Sequence, residues 1–223
     1  MPASDLSGTL VVVTGAGGRL GRVLVPALLD VGAVVAGLDV QPVDGLPGGV
    51  ATFAADLTDE AAVAGALDRV EAEVGPLGAL VHTVGMWEGA PFAETSLADW
   101  RRVMDVNLTS AFLCFREAAR RMQERGGRIV GIASRQGTER GAAEQAAYSA
   151  SKAGVVRLVE AIAAEYGGRV TAAAVAPSTI LFGGEGEGAK GVAAEDVAAL
   201  CVYLCGTGGA VHNGTVLRAY GSG

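Results

Sequence analysis

The chain has 223 residues, half of them apolar, and a formal net charge of −7 at pH 7. This length suits one domain covering residues 1–223, and the acidic balance provides no basic surface for nucleic acid or for an anionic membrane. No segment approaches the roughly 20 consecutive apolar residues that span a bilayer, and residues 1–7 are too few and too polar to be a signal peptide.

Strand-like apolar runs alternate with helix-like segments along the whole chain. The predicted strands cover residues 10–14, 33–38, 50–54, 79–83, 128–133, 170–175 and 215–218. The predicted helices cover residues 20–31, 59–74, 96–123, 146–166 and 194–204. Thr58 is expected to cap the second helix, with Asp59 and Glu60 in its first turn. This alternation predicts an α/β fold, a doubly wound parallel sheet in a single domain.

The first predicted strand ends in a glycine-rich turn, Thr14-Gly15-Ala16-Gly17-Gly18-Arg19-Leu20-Gly21. In a doubly wound sheet, ligands bind beyond the carboxyl ends of the strands. Glycines there allow a sharp turn and a close approach to a pyrophosphate, whose negative charge is favoured by the start of the following helix. The predicted dinucleotide contacts are Gly15, Gly17, Gly18, Arg19, Leu20 and Gly21.

Asp39 ends the second predicted strand, eighteen residues after Gly21. A carboxylate at this place accepts hydrogen bonds from the adenosine ribose and repels a 2′-phosphate, so NAD is expected in preference to NADP. Arg19 weakens the preference, because a guanidinium near the phosphates tolerates extra negative charge. The alternative is that Asp39 is only an exposed strand end.

The histidine and cysteine positions favour structural roles. His82 lies in the predicted strand 79–83, where a histidine is more often packed and hydrogen-bonded than catalytic. Cys114, Cys201 and Cys205 have no set of metal ligands around them, so buried thiols are expected rather than a zinc site. A reducing cytoplasm is the expected compartment.

Tyr148 and Lys152 lie four residues apart in the predicted helix 146–166, so they share a face. A cation about 4 Å from the phenol favours the phenolate by up to roughly 4 kcal/mol at an effective dielectric near 20. The tyrosine would then be suited to general acid/base catalysis. Such pairs are common on helices, but this chain has only two lysines against fifteen arginines. A surface cation is therefore usually an arginine here, and Lys152 is expected to have a specific role.

These residues together resemble the short-chain dehydrogenase/reductase family over nearly the whole chain. The family's Thr-Gly-x-x-x-Gly-x-Gly turn is similar to the turn that starts at Thr14, with Arg19 in place of a glycine. Its active-site asparagine, serine, tyrosine and lysine look like Asn107, Ser134, Tyr148 and Lys152. The resemblance implies a Rossmann fold in which Ser134 polarises the substrate oxygen. It also implies that Lys152 binds the nicotinamide ribose and that Asn107 maintains a proton path.

Further cofactor contacts are implied by the same resemblance. Asp56-Leu57 is similar to the family's adenine-contacting pair, and Gly85 is the one residue retained from its Asn-Asn-Ala-Gly segment. Pro177-Ser178-Thr179 takes the place of a Pro-Gly turn beside the nicotinamide, and Thr179 is expected to contact the carboxamide.

Two segments depart from the family. Ser134 and Tyr148 are one residue farther apart than is usual, which lengthens the polar loop 135–141. Residues 180–194, which we call the lid segment, are short and contain the glycine-dense stretch 182–188. That composition predicts a mobile or disordered lid, with a pocket that is open or is completed by substrate or a neighbouring subunit.

The resemblance implies an NAD(P)-dependent oxidoreductase that interconverts a small-molecule alcohol and a carbonyl, with Tyr148 as general acid/base. One alternative is a catalytically silent dinucleotide-binding regulator, against which the complete set of four active-site residues argues. Another is an NAD-using lyase or epimerase, although such relatives usually have a longer C-terminal substrate domain. A homodimer or homotetramer formed through helices 96–123 and 146–166 is expected from the resemblance.

Overall fold

The computed structural model describes residues 5–186 and 188–221. Its strands are β1 (Leu10–Thr14), β2 (Val34–Asp39), β3 (Ala51–Ala54), β4 (Leu77–His82), β5 (Gly127–Ile132), β6 (Val170–Pro177), β7 (Ile180–Leu181), β8 (Val192–Ala193) and β9 (Val216–Ala219). Seven of them form one parallel sheet in the order β3-β2-β1-β4-β5-β6-β9. The predicted doubly wound sheet is confirmed, and every predicted strand is present with its ends shifted by at most two residues.

The helices are α1 (Arg19–Leu29), α2 (Glu60–Glu73), α3 (Leu97–Met104), α4 (Ser110–Met122), α5 (Arg135–Thr138), α6 (Ala146–Tyr166) and α7 (Ala194–Cys205). The predicted cap of α2 was wrong by one residue. The N-cap is Asp59, whose carboxylate accepts a hydrogen bond from the backbone N–H of Ala62. The Thr58 hydroxyl is instead bonded to the carboxylate of Asp56 at 2.7 Å.

The predicted helix 96–123 is not a regular α-helix. A π-helical turn, Asp105–Thr109, lies between α3 and α4. Such turns widen a helix locally and are frequent at functional sites. Asn107 lies in this turn and is fully buried.

The core consists of two apolar layers, one on each face of the sheet. Helices α2, α4 and α6 pack on one face, and α1 and α7 pack on the other. Coverage of both faces explains why the central strands are continuously apolar. Cys114 lies in the first layer, while Cys201 and Cys205 lie in the second, and all three are buried free thiols as predicted.

The lid segment is tied at both ends. Ile180 pairs with Val192 and Leu181 with Ala193 in a separate two-stranded parallel sheet, and α7 follows directly. Glu187, which belongs to the predicted lid, lies outside the described residues. Across the described ranges, the helices are too short or too polar to span a bilayer.

Candidate active site

A cleft of about 790 Å³ lies at the carboxyl edge of the sheet. The strands β1, β4, β5 and β6 end at its wall, which is where a doubly wound sheet binds its ligands. It brings together the predicted site residues Gly15, Gly18, Arg19, Leu20, Asp39, Gly85, Tyr148, Lys152, Pro177 and Thr179. The residues predicted to contact the nicotinamide and those predicted to contact the phosphates therefore line the same cleft.

The turn after β1 requires glycine at two positions. Gly15 has a φ of +70°, and a Cβ there would lie 2.8 Å from the Thr83 hydroxyl oxygen. A Cβ at Gly21 would overlap the carbonyl oxygen of Gly15, so α1 packs directly on the turn. Helix α1 begins after Gly18, and the described residues provide no side-chain cap for its first amides. This open helix start, beside a glycine-rich turn, fits the pyrophosphate of a dinucleotide.

Asp39 supports the turn as well as lining the cleft. Its Oδ2 accepts a hydrogen bond from the backbone N–H of Gly17 at 3.0 Å, and its Oδ1 accepts one from the N–H of Val40 at 2.8 Å. The carboxylate is therefore fixed at the end of β2, and it is not merely an exposed strand end. Each of its oxygens retains a further lone pair with which to accept a ribose hydroxyl.

Asp56 and Leu57 are engaged elsewhere. The Asp56 carboxylate accepts hydrogen bonds from the hydroxyl and the backbone N–H of Thr58, which hold the pKa of this carboxyl below its usual range. Leu57 is buried in the core layer that contains α2. Within the described part of the chain, neither residue belongs to the cleft wall, and their contact with adenine remains a prediction.

Tyr148 and Lys152 lie on the first turns of α6, and both line the cleft. The Lys152 Nζ donates a hydrogen bond to the carbonyl oxygen of Ile132 at 2.9 Å and lies 6.0 Å from the centre of the Tyr148 ring. Burial lowers the pKa of the Lys152 ammonium to about 8. The pair is thus adjacent, but the ammonium is directed at the end of β5.

The expected lowering of the tyrosine pKa is not what this structure gives. Burial raises the pKa of the Tyr148 phenol above its ordinary value, while a hydrogen bond with the Ser134 side chain acts in the opposite direction. The reason is that removal of the phenolate from water outweighs the one hydrogen bond that stabilises it. Tyr148 is therefore a protonated phenol at neutral pH in this structure.

Ser134 follows β5 and is buried beside Tyr148. Its hydroxyl oxygen also accepts a hydrogen bond from the backbone N–H of Gly137 at 3.1 Å, which makes it the N-cap of α5. The loop 135–141 is therefore partly helical, and it starts from the serine itself. This anchoring fixes the Ser134 side chain next to the tyrosine hydroxyl.

Asn107 connects the π-helical turn to the floor of the cleft. Its Oδ1 accepts a hydrogen bond from the N–H of Met86 at 2.7 Å, and its Nδ2 donates to the Met86 carbonyl at 2.9 Å and to the Ser151 hydroxyl at 3.0 Å. A Cβ at Gly85 would lie 3.0 Å from the Lys152 Nζ and 3.4 Å from the Asn107 Oδ1. Gly85 is thus packed against both groups, and a side chain there would require a small shift of the Lys152 ammonium.

His82 is a packed structural residue, as predicted. Its Nδ1 lies 2.8 Å from the Thr14 hydroxyl and its Nε2 lies 3.2 Å from the Ser110 hydroxyl. The ring also packs edge-on against Phe115. Burial, with a smaller contribution from the charge of Lys152, lowers the pKa of His82 to about 3.

The end of β6 and the residues that follow it also line the cleft. The cleft wall includes Pro177, Ser178 and Thr179, and the Thr179 carbonyl accepts a hydrogen bond from the N–H of Val192 at 2.9 Å. Ser178 donates to the Tyr220 carbonyl at 2.9 Å. These bonds leave the Thr179 hydroxyl available to a ligand at the place where the carboxamide contact was predicted.

The sequence reasoning missed several polar or aromatic residues of the cleft wall, among them Trp87, Gln136 and Gln145. Gln145 is the residue immediately before α6, three positions ahead of Tyr148, and it lies outside the predicted helix 146–166, so helical spacing offered no signal for it. Its amide oxygen is buried and has no hydrogen-bond partner among residues 5–186 and 188–221. Buried polar atoms are usually paired, so this amide is suited to receive a polar group of a substrate.

Comparison with known proteins shows that the chain is similar to dehydrogenases in both sequence and structure. The family model for short chain dehydrogenase matches residues 9–184. D-Threitol dehydrogenase of Mycolicibacterium smegmatis is 33% identical, with 95% of this chain and 91% of that protein covered. 2-Dehydro-3-deoxy-L-rhamnonate dehydrogenase (NAD(+)) of a Sphingomonas species is 35% identical, with 79% and 74% covered. The ligand-free structure of Thermoplasma acidophilum aldohexose dehydrogenase has a TM-score of 0.85 and 26% identity, with 96% and 93% covered.

Proposed function

The chain belongs to the short-chain dehydrogenase/reductase family, and from that premise we propose that Tyr148 is the general acid/base of its reaction. The enzyme is an oxidoreductase that interconverts an alcohol and a carbonyl group with a nicotinamide dinucleotide. A silent regulator is not favoured. The observation that carries the proposal is the placement of Tyr148 and Lys152 in the same cleft as the glycine turn.

The proposed chemistry assigns one proton transfer to Tyr148. A bound nicotinamide supplies the hydride acceptor in oxidation and the hydride donor in reduction. In reduction the protonated Tyr148 donates its hydroxyl proton to the carbonyl oxygen and becomes a phenolate, and in oxidation the Tyr148 phenolate takes the proton of the substrate hydroxyl and becomes a phenol. The raised pKa of Tyr148 suits the donating role, because the phenol keeps its proton at neutral pH.

The remaining three residues of the set support this transfer. Ser134 is proposed to hold the substrate oxygen next to the tyrosine hydroxyl. Lys152 is proposed to bind the nicotinamide ribose and, through its positive charge, to favour the phenolate against the effect of burial. Asn107 is proposed to keep the proton path between Lys152 and solvent, and its contact with Gly85 supports that position.

We propose NAD rather than NADP as the cofactor. The fixed carboxylate of Asp39 supports this, since it would accept the ribose hydroxyls and repel a 2′-phosphate. A relative whose name specifies NAD(+) is also in favour. NADH should therefore bind more tightly than NADPH in a fluorescence titration, and equal affinities would contradict the assignment.

Assembly and compartment are proposed as well. Phe112 on α4 and Leu97 at the start of α3 are large, exposed apolar side chains, which supports pairing of copies through the segment 96–123 in a homodimer or homotetramer. Sedimentation of a monomer at micromolar concentration would contradict this pairing.

Three buried free thiols support a reducing cytoplasm, which cell fractionation tests directly.

The proposed function is tested with the variant Tyr148→Phe. Loss of the hydroxyl removes the proton donor, so turnover should fall by roughly 10²–10⁴-fold, while NADH binding is retained. A screen of secondary alcohols with NAD, beginning with polyols because D-threitol dehydrogenase is a relative, provides the substrate. Tyr166→Phe, at the far end of α6, is the matched control and should turn over normally. Normal turnover by Tyr148→Phe would exclude the assignment.

A further inference from the structure

Arg19 is the first residue of α1, and its side chain is 70% exposed. It occupies the position where the resembled family has a glycine. Its guanidinium carbon lies 4.0 Å from the centre of the Phe182 ring, which is a close cation–π contact. Arg19 and Phe182 both line the cleft, so this contact joins the glycine turn to the lid segment.

The lid residues around Phe182 form a compact turn. The Glu185 carboxylate accepts a hydrogen bond from the N–H of Phe182 at 3.0 Å. Backbone N–H groups, first that of Phe182, hold the pKa of Glu185 below its usual range, and Arg19 adds a smaller contribution. The Arg19 Nη2 lies 3.7 Å from the Glu185 Oε1, a solvent-exposed pairing of the kind that contributes little. Phe182 also packs against the core layer of α1 and α7.

Among the described residues, the edge of the guanidinium has only the 3.7 Å ion pair with Glu185 and no hydrogen bond. A guanidinium that stacks through its face on a ring keeps its N–H donors in the plane, where they match the oxygens of a phosphate. The start of α1 has a positive dipole end and, among the described residues, no side-chain cap, and it is the place where the pyrophosphate of the cofactor fits. The Arg19 side chain is thus within reach of both the cofactor phosphates and the lid segment.

We propose that Arg19 is a positioning residue that couples dinucleotide binding to the lid segment: its edge binds the pyrophosphate while its face holds Phe182. The inference rests on the proposed use of NAD(H). The pyrophosphate, which carries two negative charges against one on Glu185, replaces that weak ion pair and orders the guanidinium under Phe182. The lid is then held against the cleft more firmly when the dinucleotide is present.

A double-mutant cycle on NADH affinity tests this coupling by fluorescence titration. Arg19→Ala should weaken NADH binding by roughly tenfold or more, because a charge-assisted phosphate contact is lost. Phe182→Leu should weaken it by about threefold, because an exposed cation–π contact is lost. The double variant should bind NADH no more weakly than Arg19→Ala alone, since one contact requires the other. Phe182→Tyr retains an aromatic face and should restore the wild-type affinity.

The lid itself provides a second readout. Cleavage at Glu185 by a glutamyl endopeptidase should be slowed by NADH in the wild type and should not be slowed in Arg19→Ala. The matched controls are Arg157→Ala and Phe92→Leu, which change an exposed arginine and an exposed phenylalanine outside the cleft wall of the described chain. Both controls should bind NADH as the wild type does.

The possible failures are separable. Additive losses in the double variant, or a Phe182→Leu variant with wild-type affinity, overturn the coupling while NADH binding and the proposed function stand. Unchanged NADH affinity in Arg19→Ala also overturns it. A wild-type protein without saturable NADH binding overturns the proposed function and this inference together.

Discussion

At the scale of single residues, burial determines the protonation states in and under the cleft. His82, Tyr148 and Lys152 all favour their neutral forms more than they do in water, because burial penalises the charged form of each. All three residues could be singled out from the sequence, but the direction in which the pKa of each is shifted could not be predicted from it. The direction of each pKa shift depends on which carbonyl, hydroxyl or ring lies against the group. The Ile132 carbonyl, for example, accepts a hydrogen bond from the Lys152 ammonium.

His82 gives a prediction about stability and pH. The pKa of its imidazole is about 3 in the folded protein and about 6.5 in the unfolded chain. Between these two pH values His82 binds a proton in the unfolded chain but not in the folded protein. The contribution of the neutral His82 to the free energy of unfolding is therefore complete above about pH 6.5 and is lost as the pH falls toward 3. The free energy of unfolding, measured with urea, should decrease by up to about 1.4 kcal/mol per pH unit from this group.

The variant His82→Gln should show a shallower pH dependence between about pH 6.5 and pH 5, where few carboxylates titrate. The control is His212→Gln, which changes the other histidine of the chain and should keep the wild-type slope. Equal slopes for His82→Gln and the wild type would mean that His82 is not buried in its neutral form.

At the scale of elements, the pattern of apolar residues placed the strands and helices but not their local irregularities. The apolar spacing of residues 96–123 is helical throughout, and it contains no sign of the π-helical turn at Asp105–Thr109. That turn is stabilised by side-chain contacts with Met86 and Ser151, which lie in other segments. The Asp59 cap was missed for a simpler reason, since Thr58 and Asp59 are both good caps in sequence.

The π-helical turn should depend on the Asn107 amide. Asn107→Ala leaves the N–H and carbonyl of Met86 and the Ser151 hydroxyl without this partner, so the free energy of unfolding should fall by about 2–3 kcal/mol. Ser151→Ala removes one of these hydrogen bonds and should cost about 1 kcal/mol. Urea unfolding of the two variants measures the difference. A loss in Asn107→Ala that is no larger than in Ser151→Ala would show that Met86 does not need the amide.

At the scale of the whole molecule, the sequence was sufficient for the doubly wound sheet, because continuously apolar strands alternating with helices have few other arrangements. It was also sufficient to place Tyr148, Lys152, Asp39 and the glycine turn around one cleft, because parallel strands end at a common edge. The contact between Arg19 and Phe182 was not foreseeable, because it joins two segments far apart in the chain, and one of them departs from the family.

The central claim is that hydride passes between an alcohol carbon and the nicotinamide. The most direct test uses the best alcohol from the screen, labelled with deuterium at the carbon that bears the hydroxyl, together with NAD. Mass spectrometry should find the deuterium in the nicotinamide ring of the NADH that forms, one atom for each carbonyl produced. Deuterium that appears in water or is retained in the product, without labelled NADH, would contradict the claim and would favour a lyase or an epimerase instead.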